Sequence, residues 1–323
     1  MLIVTGGAGF LGSAVLWKLN AMGREDILVV DNLGQGEKWR NLVNRRFADY
    51  MHKDEFLRRV QTGRNEFGAT GVVHMGACSA TTERDADYLH ANNTRYSLEL
   101  CRFCLENGVR FVNASSAATY GGGEHGFEDG PDGLERLKPL NMYGYSKHLF
   151  DLAAKRHGWL GQIASLKFFN VFGPNEYHKG EMRSVVCKAF GQIRGSGAVR
   201  LFRSYRQDVP DGGQMRDFVS VKDCADVVCW LLERKEVGGV FNVGSGRARS
   251  FKELVTAVFE ALGTPPRIEY IDMPEAIRDT YQYYTQAPMR RLREAGYDRP
   301  FTPLEEAVRD YVTAYLAAAD RYL

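Results

Sequence analysis

Tyr143 and Lys147 stand in the run Tyr143-Gly144-Tyr145-Ser146-Lys147. On a helix that spacing brings the two side chains onto one face, one turn apart. A tyrosine hydroxyl, with an ordinary pKa of about 10, is a poor base at neutral pH, and a neighbouring ammonium stabilises the phenolate and lowers that value. A phenolate so placed can take the proton of an alcohol as hydride leaves its carbon. Ser116, in Ala114-Ser115-Ser116-Ala117-Ala118, follows an apolar run and offers a second hydroxyl to hold the reacting oxygen. A tyrosine and a lysine four apart also arise on ordinary helix surfaces, so this reading leans on what precedes them.

What precedes them is Gly6-Gly7-Ala8-Gly9-Phe10-Leu11-Gly12, immediately after the apolar Leu2-Ile3-Val4-Thr5. Glycine accepts positive φ at a tight turn and lets the backbone approach a pyrophosphate, while the helix that follows offers free N–H groups to the anion. A second apolar run, 27–30, ends in Asp31, where a carboxylate can accept hydrogen bonds from an adenosine ribose. Strand, turn, helix and terminal acid in register predict a dinucleotide site. Asp31 favours NAD, because a carboxylate repels a 2′-phosphate; Lys38, soon after Asn32, either neutralises that phosphate or stands as a solvated surface charge. Residue chemistry alone leaves both cofactors open.

The positioning elements follow from periodicity. Short apolar runs recur at Val72-Val73-His74, Phe111-Val112 and residues 164–168, separated by helical patterns. This predicts an α/β fold: a Rossmann-type doubly wound parallel sheet with helical crossovers. From about Gly173 the rhythm gives way to glycine, proline and charge, with turns at Gly195-Ser196-Gly197 and Asp211-Gly212-Gly213. A second, smaller α/β substrate-binding lobe is expected there. Strands over 217–219 and 240–243 and helices over 251–262 and 303–319 make the lobes interleave. The expected division is 1–172 with 217–245 for nucleotide binding and 173–216 with 246–323 for the substrate.

A chain of 323 residues suggests about two domains, and 44% hydrophobic with 25% charged residues excludes disorder. With 42 basic against 40 acidic residues the net charge is +2, too little to hold a nucleic acid. No apolar run approaches the ~18 residues of a membrane span, and the first residues lack the pattern of a secretory signal. A cytoplasmic protein with no membrane and no nucleic-acid partner is expected. The six cysteines show no disulfide-scaffold density. Cys101 and Cys104 share a helical stretch with no second Cys or His pair to complete a zinc site, so core packing is expected and no metal.

With these motifs in view the chain resembles the extended short-chain dehydrogenase/reductase superfamily, to which Arg216-Asp217-Phe218-Val219-Ser220-Val221-Lys222-Asp223 adds a further match. More narrowly it resembles the ADP-L-glycero-D-manno-heptose 6-epimerase family. Val29-Val30-Asp31-Asn32-Leu33, Ala48-Asp49-Tyr50-Met51, Gly76-Ala77-Cys78-Ser79, residues 114–122, Phe169-Asn170-Val171-Phe172-Gly173-Pro174 and His178-Lys179-Gly180 carry this closer likeness. The resemblance implies tightly bound NADP and an ADP-heptose substrate. It further implies hydride removal from C6, its return to the opposite face with no net redox, and a role in supplying heptose for the lipopolysaccharide inner core. It implies a homo-oligomer, a pentamer in that family.

By the same resemblance Tyr143 and Lys179 divide the acid/base work, supported by Lys147 and Ser116. The implied cofactor contacts are Gly6, Gly9, Phe10, Leu11, Gly12, Asp31, Asn32, Lys38, Lys53, Met75, Gly76, Ala77, Cys78, Ser79, Asn92, Lys147, Val171 and Lys179. The implied substrate contacts are Ser116, Asn170, Glu181, Lys188, Phe202, Arg203, Ser204, Tyr205, Arg216 and Tyr281. Local sequence alone reads Lys179 as a surface lysine, and Arg216 as either a diphosphate fork or an inter-lobe salt bridge. Met75, Glu181 and Arg183 depart from the family pattern, and the stretch 206–214 is longer than usual. Three rivals are weighed. A 4,6-dehydratase needs an acidic pair where Ala117 and Ala118 stand. An NAD(P)-dependent 4-epimerase of another nucleotide hexose shares the Ser/Tyr/Lys set. A non-catalytic nucleotide sensor would be expected to have lost the tyrosine or the lysine.

Overall fold

The computed structural model describes residues 1–278 and 281–323. Its strands are β1 (Leu2–Thr5), β2 (Ile27–Asp31), β3 (Asp49–His52), β4 (Gly71–His74), β5 (Arg110–Ser116), β6 (Ala164–Phe168), β7 (Asn170–Phe172), β8 (Val199–Phe202), β9 (Met215–Ser220), β10 (Gly239–Val243), β11 (Ala248–Ser250) and β12 (Ile268–Ile271). Seven of them form one parallel sheet in the order β10-β6-β5-β4-β1-β2-β3. This is the doubly wound architecture that the alternating apolar runs predict.

Strand residues alternate between two covered faces, which is why these strands read as unbroken apolar runs. Val4, Val29 and Val73 meet Leu16 and Leu19 of the helix Phe10–Ala21 and Val227 and Leu231 of the helix Val221–Glu233. Their neighbours Ile3, Leu28 and Val72 point the other way, against Phe56, Leu100 and Phe150 from the helices Lys53–Val60, Tyr96–Glu106 and Met142–Arg156. Burying each such side chain stabilises the fold by ~1.5–3 kcal/mol. Cys101 and Cys104 are buried in that second face as core residues.

The chain leaves the sheet after β6, and β7 follows with only Phe169 between them. β7 pairs in parallel with β9, and β11 runs antiparallel to β9; β8 and β12 form a separate parallel pair. These strands pack with the helices Val185–Ser196, Phe251–Ala261 and Leu304–Tyr311 around a core that includes Phe218, Leu254 and Tyr311. Two elements differ from expectation. The first helix starts at Phe10 because Gly9 takes the extended N-cap conformation, φ −74° and ψ 177°, so Gly12 lies inside the first turn. The last helix is α-helical only to Tyr311, and Val312–Leu316 continues in a wider π turn. No described helix is long and apolar enough to cross a membrane.

Candidate active site

β1 has β2 on one side and β4 on the other, and the crevice beyond such a switch point is where open α/β sheets hold ligands. A cleft of about 850 Å³ lies there, lined on one side by Gly6, Gly9, Phe10, Leu11 and Gly12. Gly6 takes φ +65°, and a Cβ on it would stand 2.6 Å from the Cα of Gly76; one on Gly12 would overlap the Gly6 carbonyl oxygen. Only glycine closes this turn tightly enough to leave the helix's first N–H groups facing the cleft.

Asp31 is turned toward the turn itself. One carboxylate oxygen accepts the Ala8 N–H at 2.8 Å, and the other accepts the Asn32 N–H at 2.7 Å and Lys38 Nζ at 2.6 Å. Asp31 therefore braces the glycine turn, and Lys38 is an ion-pair partner rather than a solvated surface charge. A recess of about 190 Å³ opens beside them, lined by Asn32, Lys38, Lys53, Gly76, Ala77, Cys78 and Asn92 among others. Two ammonium groups at its wall suit an anionic group.

On the opposite wall the helix Met142–Arg156 is capped by the Asn141 side chain, which accepts the Gly144 N–H. Its first turn presents Tyr143, and Lys147 follows one turn later; both line the cleft with Ser116, the last residue of β5. Burial pushes the Tyr143 hydroxyl above its ordinary pKa, and the Cys78 thiol adds to the rise. The lowering expected from a neighbouring ammonium is not seen: burial of the phenolate sets the direction, and the Ser116 hydroxyl is what opposes it. Lys147 is buried, its Nζ has no hydrogen-bond partner, and burial pushes it down to about 8, with Asp151 opposing. An orphaned buried ammonium facing a cleft fits a polar ligand such as a ribose hydroxyl.

Lys179 enters from the second lobe, on the short helix Tyr177–Met182. It is half-buried, lines the cleft, and its Nζ stands 5.1 Å from the centre of the Phe10 ring. Burial lowers its pKa, with Glu176 opposing. Local sequence reads it as a surface lysine; it faces the cleft because Gly180, at φ 53° and ψ −125°, reverses the chain just after it.

Arg216, on β9, is buried, with its guanidinium carbon 5.6 Å from the Phe251 ring centre and 5.3 Å from that of Tyr281. It has no carboxylate within ion-pair distance among the described residues, so the inter-lobe salt bridge is not formed. The flanking rings instead hold its planar fork at the cleft wall. Asn170, Val171 and Tyr281 line the same cleft, as do Met75 and Ser79.

Six implied residues stand elsewhere. Glu181 is turned outward by the Gly180 reversal and pairs with Lys188 at 3.2 Å. Arg203 pairs with Asp272 at 3.6 Å, the Ser204 N–H donates to Asp211 at 2.7 Å, and the Tyr205 hydroxyl donates to Asp272 at 3.3 Å. Phe202 reaches the cleft only through Tyr281, packing edge-on to it with ring centres 6.3 Å apart.

Sequence reasoning missed the buried polar groups behind the site. Asp151 accepts from Ser115 and Ser165 hydroxyls at 2.7 and 2.8 Å and from Lys167 Nζ at 2.8 Å. Lys167 also donates to the Thr119 hydroxyl at 2.6 Å. A lysine inside the apolar run Ala164–Phe168 and an aspartate four residues after Lys147 were the available signals. Arg183 and His178, also unassigned from sequence, line the cleft beside Lys179.

The pattern of the NAD dependent epimerase/dehydratase family matches residues 2–244. A curated relative from Nitratidesulfovibrio vulgaris, an ADP-L-glycero-D-manno-heptose-6-epimerase, is 63% identical over 323 residues, spanning 100% of both chains. The crystal structure of the Helicobacter pylori ADP-L-glycero-D-manno-heptose-6-epimerase superposes with a TM-score of 0.80 at 26% identity, covering 98% of this chain and 96% of that one. Thermus thermophilus UDP-glucose 4-epimerase, in complex with NAD, gives a TM-score of 0.74 at 27% identity, covering 98% and 99%. Glycine turn, tyrosine–lysine helix and full-length likeness agree: the chain belongs to the NAD dependent epimerase/dehydratase family, and within it to the ADP-L-glycero-D-manno-heptose-6-epimerases.

Proposed function

We propose that the cleft interconverts ADP-D-glycero-D-manno-heptose and ADP-L-glycero-D-manno-heptose by inverting C6, with NADP as its resident cofactor. The observation that carries this reading is the convergence of Tyr143, Lys147, Ser116, Lys179 and Arg216 on one cleft with the glycine turn. Held by the glycine turn and Lys147, a nicotinamide would supply a hydride acceptor and donor at C6, which would make the reaction redox-neutral. Tyr143 and Lys179 move the proton of the C6 oxygen, one for each orientation of the sugar side chain, and Ser116 holds that oxygen through its hydroxyl. Two proton-transfer groups entering from different lobes let the ketone react on either face.

Lys147 supports the phenolate and a ribose hydroxyl, the role its unpartnered ammonium suits. Arg216 meets the sugar diphosphate with its fork. Lys38 and Lys53 favour NADP: both ammonium groups stand at the recess beside Asp31, paired with Asp31 and Asp54 at 2.6 and 2.8 Å, and a 2′-phosphate would be a further anionic partner for them. The same reading carries the two-lobe division at 172/173, 216/217 and 245/246, and a cytoplasmic homo-oligomer, for which family resemblance argues five subunits.

Proton NMR of ADP-D-glycero-D-manno-heptose with the purified protein, recorded alongside the reduced-nicotinamide absorbance, tests the proposal. The L-glycero epimer is expected with no added cofactor and no net reduced nicotinamide. Unchanged substrate after NADP and then NAD are supplied, with UDP rather than ADP competing for the cleft, would overturn it in favour of a different nucleotide sugar.

A further inference from the structure

The loop that carries Lys179 turns at Asn175, the one non-glycine among the described residues with positive φ, 76°. A left-handed residue with a Cβ persists only where its surroundings over-determine it. Asn175 is fully buried; its Oδ1 accepts the Leu323 N–H at 3.0 Å and its Nδ2 donates to Ser13 Oγ at 3.0 Å. The next residue, Glu176, is also buried and accepts the Ser184 and Tyr311 hydroxyls at 2.6 and 3.0 Å. Both ends of the loop are pinned, and residues 177–182 span between them.

Asn41 joins this loop to the glycine turn. It lies with Lys38 on the short helix Glu37–Leu42 and is 2% exposed. Its Nδ2 donates to the Ala8 carbonyl at 2.9 Å and to the Asn175 carbonyl at 3.0 Å, with His178 Nδ1 at 3.2 Å. A side-chain amide has two hydrogens, and the two carbonyls take them. The same short helix grips Ala8 a second time, through the Lys38–Asp31 pair and the Asp31 bond to the Ala8 N–H.

We propose that Asn41 is a positioning residue for Lys179: by joining the Ala8 carbonyl to that of Asn175, it sets the lysine over the cleft in register with the turn that receives the cofactor phosphates. The proposal rests on Lys179 as an acid/base group. Asn41 touches neither reacting atoms nor phosphate; it acts through the backbone of two loops, so its loss shifts geometry rather than removing a reacting group.

The experiment compares wild type, Asn41→Ala and Lys179→Met as holoenzymes. For Asn41→Ala, kcat is expected to fall about tenfold or more, because small misplacements at the reacting centre are costly, while KM stays within about twofold and the nicotinamide still co-purifies. Acetic anhydride labelling read by peptide mass mapping is expected to rise about threefold at Lys179, with Lys155 unchanged. Unchanged kcat and unchanged Lys179 labelling overturn the proposal. So does a fall in melting temperature with loss of nicotinamide and faster labelling of every lysine, which marks Asn41 as a packing residue. If Asn41→Ala does not fold, Asn41→Ser, with a smaller void and one donor left, is expected to give intermediate values of both readouts. Retained turnover in Lys179→Met overturns the acid/base assignment instead, and the Lys179 labelling contrast still decides the role of Asn41.

Discussion

Asp151→Asn tests whether the buried charges behind the site serve both stability and chemistry. The pair of Asp151 with Lys167 is fully buried on both sides, at 2.8 Å. Asparagine keeps the shape but removes the negative charge, and strands the buried Lys167 ammonium without a counter-charge. Removing one partner of such a pair costs ~3–5 kcal/mol. Asp151 is also the group that opposes the burial-driven fall of Lys147 to about 8. At the ~6 Å of an i,i+4 helical pair and an effective dielectric of ~20, the attraction is ~3 kcal/mol. Lys167 is present with or without the Asp151 charge and offsets none of this loss, so Lys147 falls further, by about one to two pKa units. His74, the other ionisable group coupled to Lys147, is pushed down to about 3 and stays neutral throughout. If activity needs cationic Lys147, as proposed, it is lost as pH rises through its pKa, so the alkaline limb of kcat/KM should move by about one to two units toward lower pH. The assay is kcat/KM against pH beside urea unfolding at neutral pH. Adding Lys167→Met removes the stranded cation and should recover stability without restoring the limb. An unshifted limb, or a single variant within about 1 kcal/mol of wild type, refutes the reasoning.

Two further outcomes follow from the same geometry. Lys38→Met should weaken NADP binding about tenfold or more by titration calorimetry, the size of a lost charge-assisted hydrogen bond, and leave NAD binding nearly unchanged; equal losses for both would place the 2′-phosphate elsewhere. His74 is buried and pushed down to about 3, and His178 to about 4, by desolvation. Their folded pKa values lie below the unfolded one, so their contribution is full above about pH 6.5 and is lost as pH falls toward the folded values, at about 1.4 kcal/mol per unit for each neutral group. Urea unfolding at pH 7.5 and 5.5 should show this slope, and His74→Gln should reduce it; an unchanged slope would mean the ring is not held neutral.

The fold was legible because its determinants are local: β1 and β6 match the apolar runs residue for residue, and the glycine spacing needs only the turn it makes. Tyr143 and Lys147 were legible for the same reason, since helical spacing fixes their common face. Lys179 was not: its neighbours Tyr177 and His178 give no hint, and the Gly180 reversal that turns it inward is tertiary. Arg216 was half legible, since its chemistry suits either a diphosphate or a salt bridge, and only the Phe251 and Tyr281 rings place it at the cleft wall. Asp31 was read correctly as the end of β2, but its carboxylate faces Ala8 and Lys38, partners that sequence adjacency does not reveal. Tyr143 shows the same limit in electrostatics. Adjacency to a lysine predicts a lowered pKa, whereas burial, which spacing along one helix does not report, raises it.

The distribution of charge explains why both lobes are needed. Lys147, Lys179 and Arg216 line one cleft, and burial lowers the pKa of all three. The nearby carboxylates are committed elsewhere: Asp31 to Ala8, Asn32 and Lys38, Glu176 to Ser184 and Tyr311, Asp151 to Ser115, Ser165 and Lys167. The cleft is therefore a buried cationic surface whose compensation must come from anionic ligands. A dinucleotide and a sugar nucleotide each bring a diphosphate, so binding of both raises the lysines back toward their ordinary values. Full protonation of Lys147 then coincides with a filled site, so on the proposed mechanism proton transfer through Tyr143 is best supported when sugar and cofactor are both in place.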